Sequence, residues 1–330
     1  MSSLGDVFLT FPALAAAARA FGRPVAVATR AAYAALFKRH PAVDTVLTLP
    51  AREVKGKDGV AAVVARINEE TKPDVVLDWH GVPLARAIAA RVAAETKVRY
   101  SKLGARRALL ATTRLDFLPR PTIRVPELYV RTLKAWGVTA PDWSFRLDQD
   151  LGAAVRLRNT LGITGGAVAL APGARWETKA WPAEHWRALA EKLAAAGRRI
   201  LVVGSGSEVA LCASVAAGLK GAVNAAGKTR DPAELPELLR GAALLVTNDS
   251  ALAHLAPLVD VPALALFGPT SPRFGFAPWG TDDRVLYLGL ECSPCSRHGA
   301  APCWRSERQC LTALTPARVY AAAEEMLGGA

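Results

Sequence analysis

The chain has 330 residues, 51% hydrophobic and 21% charged, with a formal net charge of +12. That balance belongs to a globular protein with material for two cores, and it excludes long disorder and fibrous architectures. No window holds about 18 uninterrupted apolar residues, so no membrane span is expected. Phe8 to Phe21 is apolar and Ala-rich, yet Asp6 precedes it, Pro12 interrupts it and a basic leader is lacking. This argues against a secretory signal and for cytoplasmic residence.

In chain order, a helix is expected over 12–21, a buried parallel strand over 25–29 and a helix over 31–40. A strand over 43–49, a helix over 59–70 and a strand over 74–79 continue the alternation. From Lys97 to Arg124 eight basic residues (Lys97, Arg99, Lys102, Arg106, Arg107, Arg114, Arg120, Arg124) accompany one acid, Asp116. Such a cluster suits a partner rich in phosphate or carboxylate, an anionic headgroup or a phosphorylated glycan. No nucleic-acid motif accompanies it, so nucleic acid is not expected. A helix over 125–136 ends at Gly137, and 141–150 reads as a linker. The domains are therefore set at 1–150 and 151–330.

The second half repeats the pattern without repeating the sequence. Strands are expected over 167–170, 200–203, 244–247 and 263–267. Helices are expected over 183–195, where Trp186, Leu189 and Leu193 share a face, and over 232–240, 251–259 and 315–327. Two doubly wound α/β domains joined this way leave a cleft suited to a two-substrate transfer.

Two segments carry the chemistry. Ala171-Pro-Gly-Ala-Arg-Trp-Glu-Thr-Lys179-Ala-Trp-Pro182 and Thr247-Asn-Asp-Ser-Ala-Leu-Ala-His254 each follow a short strand and open into a helix. That is where an α/β protein holds a phosphorylated ligand. Lys179 and Arg175 supply cations, Ser250 and Ala251 a hydroxyl and a helix start, and Asp249 a carboxylate for sugar hydroxyls. His254 sits one turn in, where a structural role competes with binding. The clamp favours a nucleotide-sugar enzyme over a dehydrogenase or a kinase. Gly204-Ser-Gly206 lacks the third glycine of a dinucleotide fingerprint, because Val209 stands there. Asp6, in a small-residue segment before a helix, suits a general base or a turn cap. Four cysteines, Cys292, Cys295, Cys303 and Cys310, lie close in sequence. Their spacing admits structural zinc beside reduced thiols.

These segments resemble glycosyltransferase family 9, the ADP-heptose:lipopolysaccharide heptosyltransferases, the II type in particular. The resemblance rests on SSLGDV with Pro12, APGA with Lys179, Trp181, Pro182 and Trp186, NAAGKT (Asn224 to Thr229), TNDS with His254, and FGPTSP (Phe267 to Pro272). The cysteine cluster also recurs in such proteins. The resemblance implies a GT-B fold of two Rossmann-like doubly wound domains facing a cleft, with acceptor on the N-terminal side and donor on the C-terminal side. It implies inverting, cofactor-free transfer of a heptose from ADP-heptose to the lipid A–core oligosaccharide. The enzyme would be peripheral on the inner face of the cytoplasmic membrane. Asp6 matches the base, Lys179 the phosphate-binding lysine, Asp249 the acid at the donor sugar, and Ser250 and Ala251 the phosphate-binding helix start. Arg99, Lys102, Arg106 and Arg107 are expected on the acceptor side.

Two departures stand out. Ala251 replaces the usual glycine. Members also begin with a hydrophobic strand ending in Arg, and none precedes Ser2 here, so the first strand of the N-terminal sheet is expected to be missing. Another GT-B nucleotide-sugar enzyme and an inactive glycan-binding homologue are the alternatives.

Overall fold

The computed structural model describes residues 3–49, 54, 56–163 and 165–328; Ser2 of the leading motif lies outside them. The chain divides into two compact units. The first holds Met1–Lys102, Arg124–Asp148 and Asp231–Ala233, and the second holds Leu103–Ile123, Gln149–Arg230 and Glu234–Ala330.

In the first unit, helix α1 (Leu4–Phe21) starts eight residues earlier than Pro12, the start expected from sequence. Ser3 caps it, its hydroxyl accepting from the Asp6 N–H at 3.2 Å, and Gly22 closes it in the left-handed region at φ 63°. Pro12 is tolerated mid-helix because Val7 to Ala17 are buried, and that burial outweighs one lost backbone bond. Phe11 packs edge-on against Phe8, Phe37, His40 and Phe145. Strand β1 (Val25–Arg30), helix α2 (Ala31–Lys38), strand β2 (Val43–Leu49), helix α3 (Gly56–Thr71), strand β3 (Val75–Asp78), helix α4 (Pro83–Arg91) and strand β4 (Thr96–Arg99) follow.

β1 pairs in parallel with β2, and β3 with β4, as two separate two-stranded sheets. A cavity of about 800 Å³ lies along β1 and β3. Among the described residues no strand joins the two pairs.

Helix α5 (Gly104–Thr113) belongs to the second unit. Helix α6 (Val125–Val130) returns to the first and runs on as a 3-10 turn to Trp136, capped by Gly137 at φ 75°. Residues 141–148 form a packed strap, because Phe145 and Leu147 are buried. Asp150, its carboxylate accepting from the Ala153 N–H at 2.9 Å, caps helix α7 (Leu151–Leu161).

The second unit is built on strands β5 (Val168–Ala171), β6 (Ile200–Val202), β7 (Ala222–Asn224), β8 (Leu244–Asn248), β9 (Ala263–Phe267) and β10 (Arg284–Tyr287). They form one parallel sheet in the order β10-β9-β8-β5-β6-β7. Read from β5, this is the doubly wound order 3-2-1-4-5-6 of a Rossmann fold. Helices α8 (Ala183–Ala195), α9 (Val209–Ala216), α10 (Leu235–Leu239), α11 (Leu252–Leu255), α12 (Gln309–Thr312) and α13 (Pro316–Gly328) complete the unit. β5, β8 and β9 are buried throughout. Trp186, Leu189 and Leu193 of α8 pack into that core as their spacing predicts.

Candidate functional site

In a doubly wound sheet, ligands bind beyond the carboxyl ends of the strands where the order reverses. Here that point lies between β5 and β8, paired from Val168↔Leu244 to Ala171↔Thr247. The two segments singled out from sequence leave the sheet at this place. Asn248, fully buried, ties them together: its amide donates to the carbonyls of Pro172 (2.9 Å) and Gly173 (3.1 Å) and accepts from the Trp181 N–H at 3.1 Å.

Lys179 Nζ lies 2.7 Å from Asp249 Oδ2, with both side chains largely buried. Lys179 is therefore not a solvated surface lysine. Thr270 Oγ1, from the FGPTSP segment after β9, donates to the same Asp249 oxygen at 2.7 Å. Ser250 Oγ lies 2.9 Å from Thr247 Oγ1. A cation, a carboxylate and hydroxyls thus share one sheet edge, a chemistry matched to a phosphorylated polyol.

The helix beyond Ser250 is shorter than expected over 251–259. Ala251 is its N-cap residue, and α11 has four residues before a 3-10 turn over Ala256–Val259. Pro257 lacks the N–H that would continue the α ladder, so the axial field offered to an anion is weaker than that of a full helix.

Other candidates are placed differently. Arg175 is exposed and lies over the Trp176 ring at 5.5 Å. His254 is buried and stacked on Trp279, 6.2 Å between centroids at 9°; that packing is a core role. Asp6 sits in the first turn of α1, not in a loop, with the Ser3 hydroxyl donating to its Oδ2 at 2.7 Å.

The basic segment is divided between the units, which corrects the view that 1–150 holds it whole. Arg99 and Lys102 belong to the first unit, Lys102 lying over the Tyr100 ring at 5.9 Å. Arg106 and Arg107 belong to the second. Arg107 is buried over the Phe276 ring at 5.1 Å, so it is a packing residue and not a free surface charge. The cause is local: Leu110, Ala111 and Leu118 form an apolar cluster with Phe274, and Arg273 binds Asp116 at 2.8 Å. The hydrogen bond from Arg273 holds the Asp116 carboxyl below its ordinary value.

The four clustered thiols are free and line one cavity of about 20 Å³ beside Thr178. Burial raises Cys310 to about 11. Among the described residues no group of three or more His, Cys, Asp or Glu side chains is disposed to hold a metal. The loop of the four thiols braces the segment from Ala171 to Pro182. Thr178 Oγ1 donates to the Gly299 carbonyl, Arg308 binds the Glu177 carbonyl, and the Gly299 N–H donates to Ser296 Oγ at 2.8 Å. Gly299, at φ +89°, lies so close to Lys179 that a Cβ there would stand 2.5 Å from its Cδ.

Glu208 went unnoticed in the sequence. Its Oε2 accepts from the Ser205 N–H (2.7 Å) and hydroxyl (2.8 Å), and its carboxylate lies against Gly173, where a Cβ would meet it at 1.9 Å. The spacing Ser205-x-x-Glu208 is a capping box and was the available signal.

With this geometry in hand, the sequence matches Glycosyltransferase family 9 (heptosyltransferase) over residues 64–303. It is 31% identical to lipopolysaccharide heptosyltransferase 1 of Pseudomonas aeruginosa, across 99% of this chain and 96% of that protein. Lipopolysaccharide heptosyltransferase 2 of Escherichia coli K12 is 31% identical across 46% of this chain and 44% of that one. Among solved structures, the glycosyl transferase family 9 protein of Veillonella parvula superposes with a TM-score of 0.80 at 21% identity, covering 99% of this chain and 95% of that one. The E. coli ADP-heptose lps heptosyltransferase II superposes with a TM-score of 0.75 at 21% identity, covering 100% and 97%. These likenesses carry the GT-B fold class expected from the motifs. A switch-point site built from the family's own segments, on a chain matched over most of its length, makes this protein a member of glycosyltransferase family 9.

Proposed function

We propose that the enzyme is an inverting glycosyltransferase that moves a heptose from ADP-heptose to the inner core of lipopolysaccharide. The observation that carries the reading is the Lys179–Asp249–Thr270 cluster at the β5/β8 switch point, with Ser250 bonded to Thr247 at the end of β8 and Glu208 lying against Gly173 after β5. Lys179 and Ser250 receive the diphosphate, Asp249 and Thr270 the sugar hydroxyls, and Glu208 the ribose hydroxyls. Asp6 takes the proton of the acceptor hydroxyl as that oxygen attacks the anomeric carbon. The bond from this carbon to the phosphate oxygen breaks with its electron pair leaving on ADP. Lys179 neutralises the departing charge, so transfer proceeds without a catalytic metal.

The partners follow from the same reading: ADP-heptose, a lipid A–core acceptor and the cytoplasmic membrane surface, with the enzyme in the cytoplasm. Membrane association is supported by Leu115 and Phe117, 54% and 59% exposed, beside exposed Arg106 and Arg120. Structural zinc at Cys292, Cys295, Cys303 and Cys310 requires the thiols to close around the ion. Elemental analysis of the purified protein tests it.

Purified enzyme incubated with ADP-heptose and heptose-deficient lipid A–core should release ADP and extend the acceptor, with and without EDTA. Release with ADP-glucose but not ADP-heptose would assign another nucleotide sugar. Donor binding without turnover would favour the inactive glycan-binding homologue.

A further inference from the structure

No helix or strand is described between Tyr287 and Gln309, and an irregular stretch of that length in a compact unit calls for a functional reason. This stretch carries all four clustered thiols, and the proposed reaction uses none of them. It is fastened to both segments that meet at Asp249. Toward Lys179, the Thr178 hydroxyl donates to the Gly299 carbonyl, Arg308 donates to the Glu177 carbonyl, and Gly299 lies against the Lys179 stem. Toward Thr270, the N–H groups of Cys295 and Ser296 donate to the Pro269 carbonyl at 2.9 and 3.0 Å. Cys310 Sγ lies 3.2 Å from where a Cβ of Gly268 would stand.

The four thiols are free and border one space of about 20 Å³, with Thr178 and Pro269 also on its wall. That is room for about one water, so the sulfurs around it are neighbours. Burial raises the Cys295 thiol, and Cys292 and Cys303 raise it further, which places both close by. Cys310 is buried, whereas Cys292, Cys295 and Cys303 are partly exposed. Cys303 stands beside exposed Trp304 and Arg305, where a reagent in solution meets it first. Cys295 and Cys303 lie equally far along the chain from Gly299, one on each side. A bond between them closes a loop whose apex is the glycine packed on Lys179.

We propose that Cys295 and Cys303 are a reversible modification site, joined as a disulfide by exchange with a low-molecular-weight disulfide, and that this bond weakens the binding of a diphosphate at Lys179. The coupling rests on the reading that the site takes ADP. Cys303, as thiolate, attacks one sulfur of the reagent and expels the other as thiolate, leaving a mixed disulfide. Cys295, as thiolate, then attacks the Cys303 sulfur and expels the second thiolate. The two protons released by the cysteines go to the two departing thiolates. The cysteine pair loses two electrons and the reagent gains them.

The direction of the effect follows from the packing. Bonded sulfurs stand about 2.05 Å apart, so closure draws Cys295 and Cys303 together and shifts the turn between them. Gly299 has no room to advance, because a Cβ there would already stand 2.5 Å from Lys179 Cδ. A shift the other way pulls on Thr178, whose hydroxyl holds the Gly299 carbonyl. Either movement displaces Lys179 from the position in which it meets Asp249.

The test equilibrates the protein in mixtures of glutathione and glutathione disulfide. Mass spectrometry of alkylated peptides reads the bond, calorimetry reads ADP affinity, and elemental analysis reads zinc. The oxidised protein should carry the Cys295–Cys303 bond and bind ADP about tenfold more weakly. By linkage, saturating ADP should shift the pair toward the dithiol by the same factor, a response that a merely structural bond would not give. Cys295→Ser and Cys303→Ser should each bind ADP like the reduced parent and ignore glutathione disulfide, while Cys292→Ser keeps the response. Absence of this bond in excess glutathione disulfide, or thiols kept from reacting by bound zinc, would overturn the proposal. Equal ADP affinity in the two redox forms would overturn the coupling alone. ADP bound by neither form would instead refute the donor reading, and the coupling with it.

Discussion

Gly299→Ala is the sharpest probe of the role proposed for Lys179, because it acts on that side chain without touching its charge. An added Cβ would stand 2.5 Å from Lys179 Cδ and 2.6 Å from Cγ. Neither side gives easily. Gly299 is held by the Thr178 hydroxyl on its carbonyl and by its own N–H on Ser296, while Lys179 Nζ is anchored on Asp249 at 2.7 Å. At φ +89° an alanine is also strained by about 1–3 kcal/mol. Relief requires the Lys179 stem to swing off the glycine, which withdraws a charge-assisted contact of about 1.5–3 kcal/mol from a bound diphosphate. ADP should therefore bind about 10–100-fold more weakly. Calorimetry with ADP on the parent, Gly299→Ala, Lys179→Ala and the double variant is the assay. In the Lys179→Ala background the glycine substitution should cost ADP affinity nothing further, because its effect passes through the lysine. Parental ADP affinity in Gly299→Ala, with Lys179→Ala weakened, would refute the close-packing argument. Equal losses in both backgrounds would place the effect elsewhere.

Asp6→Asn should lower turnover by about 10²–10⁴ while ADP binding persists; near-parental turnover would remove Asp6 from the chemistry. Asp249→Asn should tighten ADP, by freeing Lys179 and removing like charge, yet slow transfer; weaker ADP binding would show the pair to be purely structural. His40 is buried and neutral, its pKa lowered from 6.5 to about 4 by desolvation, with Nε2 on the Phe11 carbonyl at 3.1 Å and Nδ1 accepting from the Ala42 N–H at 3.1 Å. Its folded value lies below its unfolded one, so its contribution is whole above pH 6.5 and is lost as pH falls toward 4, about 3 kcal/mol in all; urea melts should show this slope flattened in His40→Gln. Reversing charge at the exposed Arg106 and Arg120 should weaken binding to anionic vesicles in a salt-dependent way with ADP affinity constant, whereas unchanged low-salt vesicle binding would leave the segment without a membrane role.

In the second unit β5, β6, β8 and β9 were legible because they are buried and read as continuous apolar runs, with β5, β8 and β9 within about a residue of their expected places, whereas β7 and β10, only partly buried, were missed. The first unit was harder. β4 was missed because Thr96-Lys-Val-Arg99 is an exposed strand whose charges hide its alternation. α1 was cut short because Pro12 was read as a start, when the Ser3 cap nine residues earlier and the burial of Val7 to Ala17 decide the matter. The boundary through the basic segment was invisible for another reason. Charge density says nothing about what a segment packs on, and Leu103–Ile123 is claimed by the second unit through Phe274 and Arg273, some 150 residues away.

The donor cluster shows the same limit at closer range. Its members could be chosen from sequence because each lies just after a strand, where topology directs it to one edge. Their state could not. Lys179 and Asp249 are 70 residues apart, and nothing in either segment announces that they pair at 2.7 Å. That pairing changes the physics of the site. Two largely buried charges satisfy one another before any ligand arrives, so the lysine costs less to hold there than an isolated buried cation would. On the proposed reading, a diphosphate shares Lys179 with Asp249, and weakening of that contact is part of its binding free energy. The carboxylate already accepts from the Thr270 hydroxyl beside Lys179, and the same chemistry suits it to sugar hydroxyls. On the proposed reading, a pair shared between phosphate and polyol favours a ligand that carries both over ADP without its sugar or a sugar without its phosphates.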